Sequence, residues 1–149
     1  VVFTAGSGAG TGDDKTLLVD LDGAVKTVEA AENIGAKRFI MVSAWQANNR
    51  ENWAEQLLPY YAAKHYADKE LMRSSLKWTI VRPGALTDDP ASGKVVVGES
   101  LAPGSVPRED VANVLFRCLD ESGTEHKAFD LMSGDSDVQQ SLQAMKELA

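Results

Sequence analysis

The chain has 149 residues, of which 44% are hydrophobic, enough for one domain with a sizeable core and with no sign of a second. Its net charge of −7 and the absence of a long basic run exclude nucleic acid and anionic membrane as partners, since those surfaces need clustered Lys and Arg. The single cysteine, Cys118, excludes an intramolecular disulfide, and no apolar run approaches a membrane span, so a cytoplasmic enzyme is the default expectation.

Val1 to Thr4 reads as a short buried strand, and Ala5 to Gly12 as a glycine-rich loop at its C-terminal end. The chain enters on Val1-Val2-Phe3 without an initiator Met or a polar lead, and is therefore expected to belong to a longer polypeptide, incomplete at its N-terminus. A helix is predicted from Thr16 to Ile34, with Leu18, Leu21, Val25 and Val28 as its packing stripe, Asp13 and Asp14 at its N-terminus and Gly35 as its stop. Gly23 weakens that helix by about 1 kcal/mol against Ala unless close packing requires it. Arg38 to Val42 is a second buried strand, and strand, helix and strand make a right-handed parallel unit.

Trp45 to Leu58 carries Gln46, Asn48, Asn49 and Asn52 and is expected to form a polar loop over the site. Helix resumes at Pro59, a favoured first-turn residue, with Ala63, Ala67 and Leu71 as its packing stripe. Lys77 to Val81 is a third strand ending at Arg82-Pro83-Gly84, and Val95 to Val97 a fourth at an edge, with a turn-rich, substrate-side loop from Thr87 to Gly93 between them. From Pro107, Val111, Val114, Leu115, Cys118 and Leu119 mark an amphipathic helix, whose first-turn Arg108 and Asp110 are expected to be structural. Ala128 to Met132 reads as a strand, and Val138, Leu142, Met145 and Leu148 as the stripe of a terminal helix. Strands alternating with helices imply an α/β fold with a mostly parallel sheet. Ligands of such sheets bind beyond the carboxyl ends of the strands, where Gly6, Ser43 and Pro83 fall.

The run Gly6-Ser7-Gly8-Ala9-Gly10-Thr11-Gly12 misses the dinucleotide fingerprint, because the third glycine is replaced by Thr11 in one register and by Asp13 in the other. Lys15-Thr16 is no P-loop, since Asp14 stands where glycine is required. His65 and His126 are isolated from other metal-ligating residues, and no metal site is predicted. Tyr60 and Lys64, one helical turn apart, share a face. An adjacent ammonium favours the phenolate, which makes Tyr60 a candidate general acid or base. Lowering a phenol by about three units takes roughly 4 kcal/mol, so the pair requires a partly closed site and a second positive charge such as an oxidised nicotinamide. On its own, Tyr-x-x-x-Lys is common on helices that have no catalytic role.

Taken in order, Val-Val-Phe-Thr-Ala-Gly, Val-Ser-Ala, Tyr-Tyr-Ala-Ala-Lys, Thr-Ile-Val-Arg-Pro-Gly-Ala-Leu-Thr and Pro-Arg-Glu-Asp-Val-Ala resemble an atypical short-chain dehydrogenase/reductase of the NAD(P)-binding, epimerase/dehydratase-like branch, from Val1 almost to the C-terminus. The resemblance implies the C-terminal portion of a Rossmann-like, doubly wound domain with NAD or NADP as cofactor, NADP slightly favoured. It implies that Tyr60 exchanges a proton with a substrate hydroxyl or carbonyl as hydride moves to or from the nicotinamide, while Lys64 binds the nicotinamide ribose and depresses the Tyr60 pKa. Ser43 would line the pocket, Ala5 and Gly6 would touch the adenosine and ribose by backbone, and Pro83, Gly84, Ala85 and Leu86 would meet the carboxamide end. The family's phosphate-binding glycine turn, which comes earlier, is absent from these residues. Many members also place a catalytic Ser or Thr one or two residues beyond Ser43, where this chain has Ala44 and Trp45. That departure leaves a second function open, a non-catalytic NAD(P)-binding redox sensor or partner-binding module.

Overall fold

Phe39 and Ile40 are neighbours in sequence and are buried in cores on opposite sides of one sheet. The same alternation places Ile80 on one side and Val81 on the other, as the two-residue period of a strand requires. Strands buried on both faces read as unbroken apolar runs, which is why they were legible locally. The computed structural model describes residues 1–148. In chain order its main elements are β1 (Val2–Phe3), α1 (Asp13–Lys15), a π-helix (Thr16–Gly23), α2 (Ala24–Asn33), β2 (Arg38–Val42), α3 (Leu58–Arg73), β3 (Lys77–Pro83), β4 (Ala85–Thr87), β5 (Lys94–Gly98), β6 (Ser105–Pro107), α4 (Arg108–Asp120), β7 (Lys127–Ser133), β8 (Ser136–Asp137) and α5 (Val138–Ala144).

The main sheet has the order β1-β2-β3-β7-β5-β8. Its first four strands are parallel, with Val2 opposite Ile40, Ile40 opposite Thr79 and Thr79 opposite Lys127. Helices α2 and α3 cover one face through Val28, Ala31, Ala67 and Leu71, and α4 and α5 cover the other through Val114, Leu115 and Leu142. This is the α/β, Rossmann-like layering expected from the alternation of elements. Strand β5 runs antiparallel to β7 and is not at the edge, because β8 pairs along its outer side. A separate parallel pair, β4 with β6, is too short to show a period in sequence. Leu148, counted in the terminal stripe, lies outside the residues whose side chains are described. No helix among the described residues is long and apolar enough to cross a membrane.

The first long helix departs from its expected register. Its middle section is a π-helix, with i→i+5 bonding and a wider turn. Four-residue steps therefore stay on one face, and Thr16, Asp20, Ala24 and Val28 are buried, whereas Leu18 is 53% exposed and Leu21 and Val25 are half-buried. The 3.6-residue period used for the stripe does not apply to a π-turn, and a carboxylate is turned inward in place of a leucine.

The segment from Trp45 to Leu58 is also corrected. It packs at the sheet end instead of lying over the site as an open loop, and only Gln56 and Leu57 at its far end border the cleft described below. Gln46, 1% exposed, holds it there from a left-handed backbone (φ 55°) by donating from Nε2 to Asp130 Oδ2 at 2.6 Å and from its own N–H to Asp130 Oδ1 at 3.3 Å. A non-glycine residue keeps such a backbone only where its surroundings over-determine it, as these charge-assisted bonds do.

Candidate active site

The carboxyl ends of β1, β2 and β3 open into a cleft of about 840 Å³. Ala5 and Gly6 line it beyond β1, Ser43 beyond β2, and Pro83, Gly84, Ala85 and Leu86 at and beyond the end of β3, with Tyr60 and Lys64 contributed by α3. The residues that the resemblance implied as catalytic or cofactor-binding thus all reach one cavity. Two smaller depressions, one beside Arg117 and Leu142 and one beside Arg38 and Glu125, lie away from them.

The helical spacing places Lys64 Nζ 5.7 Å from the Tyr60 ring centre. Lys64 is buried, and its ammonium lies 3.3 Å from Asp20 Oδ2. Asp20 comes from the π-helix and is itself fixed by the Ser7 backbone N–H, which donates to Oδ1 at 2.9 Å. Sequence reasoning missed Asp20. The available signal was an acidic residue interrupting the apolar run Leu17-Leu18-Val19-Asp20-Leu21.

This pairing corrects the electrostatics expected of Tyr60. Burial pushes its phenol up to about 12, and Asp20 adds to the rise, so in the free protein Tyr60 is a neutral hydroxyl and not a phenolate. Lys64 cannot offset these effects because its charge is already answered by Asp20.

Ser43 is buried, and its Oγ has no hydrogen-bond partner among the described residues. Its backbone N–H donates to Val81 O at 2.7 Å, continuing the β2–β3 ladder by one residue. Ala44 is buried, the Trp45 indole N–H donates to Leu101 O at 2.8 Å, and neither residue lines the cleft. Gly84 is required at its turn, since a Cβ there would collide with Met132 Sδ and with Gly104 O. Behind the cleft, Arg82 donates from Nε and Nη2 to Asp68 Oδ2, each at 3.1 Å.

Helix α4 divides the expectations made for its first turn. Asp110, 0% exposed, is structural, with its carboxylate accepting from Ser92 N, Gly93 N and Ser92 Oγ at 3.0 to 3.3 Å. The loop from Thr87 to Gly93 is thereby tied to α4, and none of its residues lines the cleft, contrary to its expected substrate-side role. Arg108 does line the cleft, with Nε 3.0 Å from Asp88 Oδ1.

These residues fit the ribose and nicotinamide end of a dinucleotide. Lys64 and Tyr60 bring hydrogen-bond donors, and the turn at Gly84 exposes backbone. The phosphate end is not matched in the same way, because the loop from Gly6 to Gly12 lacks the fingerprint spacing and Asp13 lines the same cleft.

Comparison with known proteins gives the same class. Residues 1–122 match the model of the NAD(P)H-binding family. The chain is 56% identical to the uncharacterized sugar epimerase YhfK of Bacillus subtilis over 145 residues, covering 97% of this chain and 68% of that protein. A Bacillus halodurans structure named for the NAD-dependent epimerase/dehydratase class superposes with a TM-score of 0.92 at 43% identity, covering 96% of this chain and 68% of that one. The oxidoreductase ylbE of Lactococcus lactis superposes with a TM-score of 0.88 at 30% identity, covering 98% and 67%. With the family model spanning most of the chain and the fold and cleft in agreement, this chain belongs to the NAD(P)H-binding, epimerase- and oxidoreductase-like family of Rossmann-like proteins.

Proposed function

We propose that the chain provides the catalytic face of a cytoplasmic NAD(P)-dependent oxidoreductase or epimerase/dehydratase-like enzyme of the short-chain dehydrogenase type, acting on a small-molecule substrate. The observation that carries this reading is the meeting of Tyr60, Lys64, Ser43 and the turn from Pro83 to Leu86 in one cleft. When bound, the nicotinamide supplies two-electron chemistry at a substrate carbon. Tyr60, neutral in the free protein, gives its proton to a substrate oxygen or takes one back. Lys64, fixed by Asp20, holds the ribose hydroxyls beside the phenol. The backbone from Pro83 to Leu86 meets the carboxamide end. NADP is slightly favoured over NAD by family resemblance alone. A phosphate-binding glycine turn is supplied from outside these 149 residues, a reading supported by the failed spacing at Gly6 to Gly12.

The test is oxidation of NADH and NADPH with benzaldehyde and menadione by the whole protein, including the phosphate-binding turn, and by its Tyr60→Phe variant. Turnover that depends on Tyr60 is expected, and equal rates for the two proteins remove Tyr60 from the mechanism. The Lys64 to Asp20 pairing and the absence of a hydroxyl at Ala44 and Trp45 favour a second reading, a non-catalytic redox sensor. That reading requires tight binding of the reduced cofactor with no turnover of either acceptor.

A further inference from the structure

Besides the Lys64 to Asp20 pair, a second ion pair is buried behind the cleft. Asp68 stands one turn beyond Lys64 on α3, at the same four-residue step that separates Lys64 from Tyr60. Its Oδ2 takes both hydrogen bonds from Arg82, with side chains only 3% and 5% exposed. Arg82 immediately precedes Pro83, so the pair ties the catalytic helix to the end of β3.

Among the described residues the other oxygen, Asp68 Oδ1, has no hydrogen-bond partner, and neither has Ser43 Oγ. The Ser43 N–H bond to Val81 O sets Ser43 beside the residue that precedes Arg82. Burial is the largest influence on the Asp68 carboxyl and raises its pKa, while the Arg82 charge, the neighbouring Ser43 hydroxyl and Lys64 act in the opposite direction. Arginine keeps its charge in proteins and here grips the carboxyl through two nitrogens, so the pair is held as carboxylate and guanidinium. An ionised Oδ1 can only accept, and Ser43 can meet it only by giving its hydroxyl hydrogen.

We infer that Asp68, fixed by Arg82, is a positioning residue for Ser43: it takes the Ser43 hydroxyl hydrogen and turns the Ser43 lone pairs toward the cleft. While Tyr60 is neutral and donates to the same substrate oxygen, Ser43 then accepts from a substrate hydroxyl and does not donate to a substrate carbonyl. The inference rests on the enzyme reading above and deepens it by naming the alcohol form as the one Ser43 recognises, the carbonyl form being met by the neutral Tyr60 phenol. Asp68→Asn, nearly the same shape, reverses the polarity. Its amide oxygen faces Arg82, its amide N–H donates to Ser43, and the Ser43 hydrogen is released to the cleft.

Two measurements on the whole protein test this. The first needs no ligand and compares the melting temperatures of wild type, Ser43→Ala, Asp68→Asn and the double variant. A non-additivity of about 3 °C is expected for two groups in contact, and additive shifts overturn the contact. The second compares dissociation constants for benzyl alcohol in the presence of NADPH and for benzaldehyde in the presence of NADP⁺. Asp68→Asn is expected to move their ratio about tenfold toward the aldehyde, and to move it no further in a Ser43→Ala background. An unchanged ratio overturns the proposal. Should Asp68→Asn fail to fold, Ser43→Ala alone is expected to weaken the alcohol about tenfold and the aldehyde little, and equal weakening overturns it. Failure of the whole protein, with its phosphate-binding turn, to hold NADPH or NADH sinks the enzyme reading and leaves the melting cycle to decide the Asp68 to Ser43 contact.

Discussion

Lys64 Nζ and Asp20 Oδ2 stand 3.3 Å apart, with the two side chains 9% and 3% exposed, so helix α3 presents its cation already paired. Asp20→Asn keeps an oxygen for the Ser7 N–H and removes the charge. Tyr60 should then titrate below its wild-type value of about 12. The check is tyrosinate absorbance against pH, taken as the difference between Asp20→Asn and the same variant carrying Tyr60→Phe. Lys64→Ala instead strands a buried carboxylate, at a cost of about 3 to 5 kcal/mol.

Linkage follows from the same phenol. A folded-state value of about 12, above the ordinary value of 10, means that between these limits the unfolded chain has released a proton that the native state keeps. Stability from this group is intact below pH 10 and falls as pH rises from 10 toward 12. Tyr60→Phe should flatten that part of the stability profile, and an identical alkaline loss in both proteins would place its origin elsewhere.

On any accepted substrate, Tyr60→Phe is expected to lower turnover about a hundredfold or more while leaving cofactor affinity nearly intact, the signature of a proton-transfer group. Lys64→Ala should harm both kcat and cofactor binding.

Asp110→Asn should be more harmful than a surface helix-dipole contact, which is worth about 0.3 to 1 kcal/mol. The Asp110 carboxylate is fully buried and accepts from both backbone N–H groups of Ser92 and Gly93. Bonds of this kind to a charged group contribute about 1.5 to 3 kcal/mol, so a fall in melting temperature of several degrees is expected with Michaelis constants unchanged. A kinetic defect without loss of stability would move this turn into the site.

Two glycines should respond in opposite directions. Gly23 has helical dihedrals (φ −61°, ψ −40°), and a Cβ there meets only Leu18 O at an ordinary 3.5 Å, so packing does not require glycine. Gly23→Ala is expected to stabilise by about 0.5 to 1 kcal/mol. Gly84→Ala drives a methyl into Met132 and the Gly104 carbonyl and should destabilise by about 1 to 3 kcal/mol. Denaturant midpoints at constant slope decide both.

Assayed by itself, the 149-residue chain should hold NAD(P) weakly or not at all, because the loop from Gly6 to Gly12 does not reproduce a pyrophosphate cradle and Asp13 faces the same cleft. Among the described residues β1 pairs only with β2, and Val1 and Val2 are exposed, so association through that edge is also expected. Micromolar NADH binding by a well-folded monomer would require the Gly6 loop to be reassigned as the phosphate loop.

Local pattern alone determined the parallel strands Arg38 to Val42 and Lys77 to Val81, because burial on both faces writes a nearly continuous run of apolar and β-branched residues, Thr79 included. It also placed Tyr60 and Lys64 on one helical face, since a four-residue step depends only on helix geometry. What these residues meet there was decided by contacts between distant segments. Asp20 enters the site through a π-turn that alters the helical period, and it reaches Lys64 from another element. Arg82 finds Asp68 across 14 residues and Gln46 finds Asp130 across 84, each as a buried charge or amide that is stable only once its partner has been brought to it. The protonation of Tyr60 belongs to the same class, because desolvation and the field of Asp20 exist only after the chain has folded around the phenol.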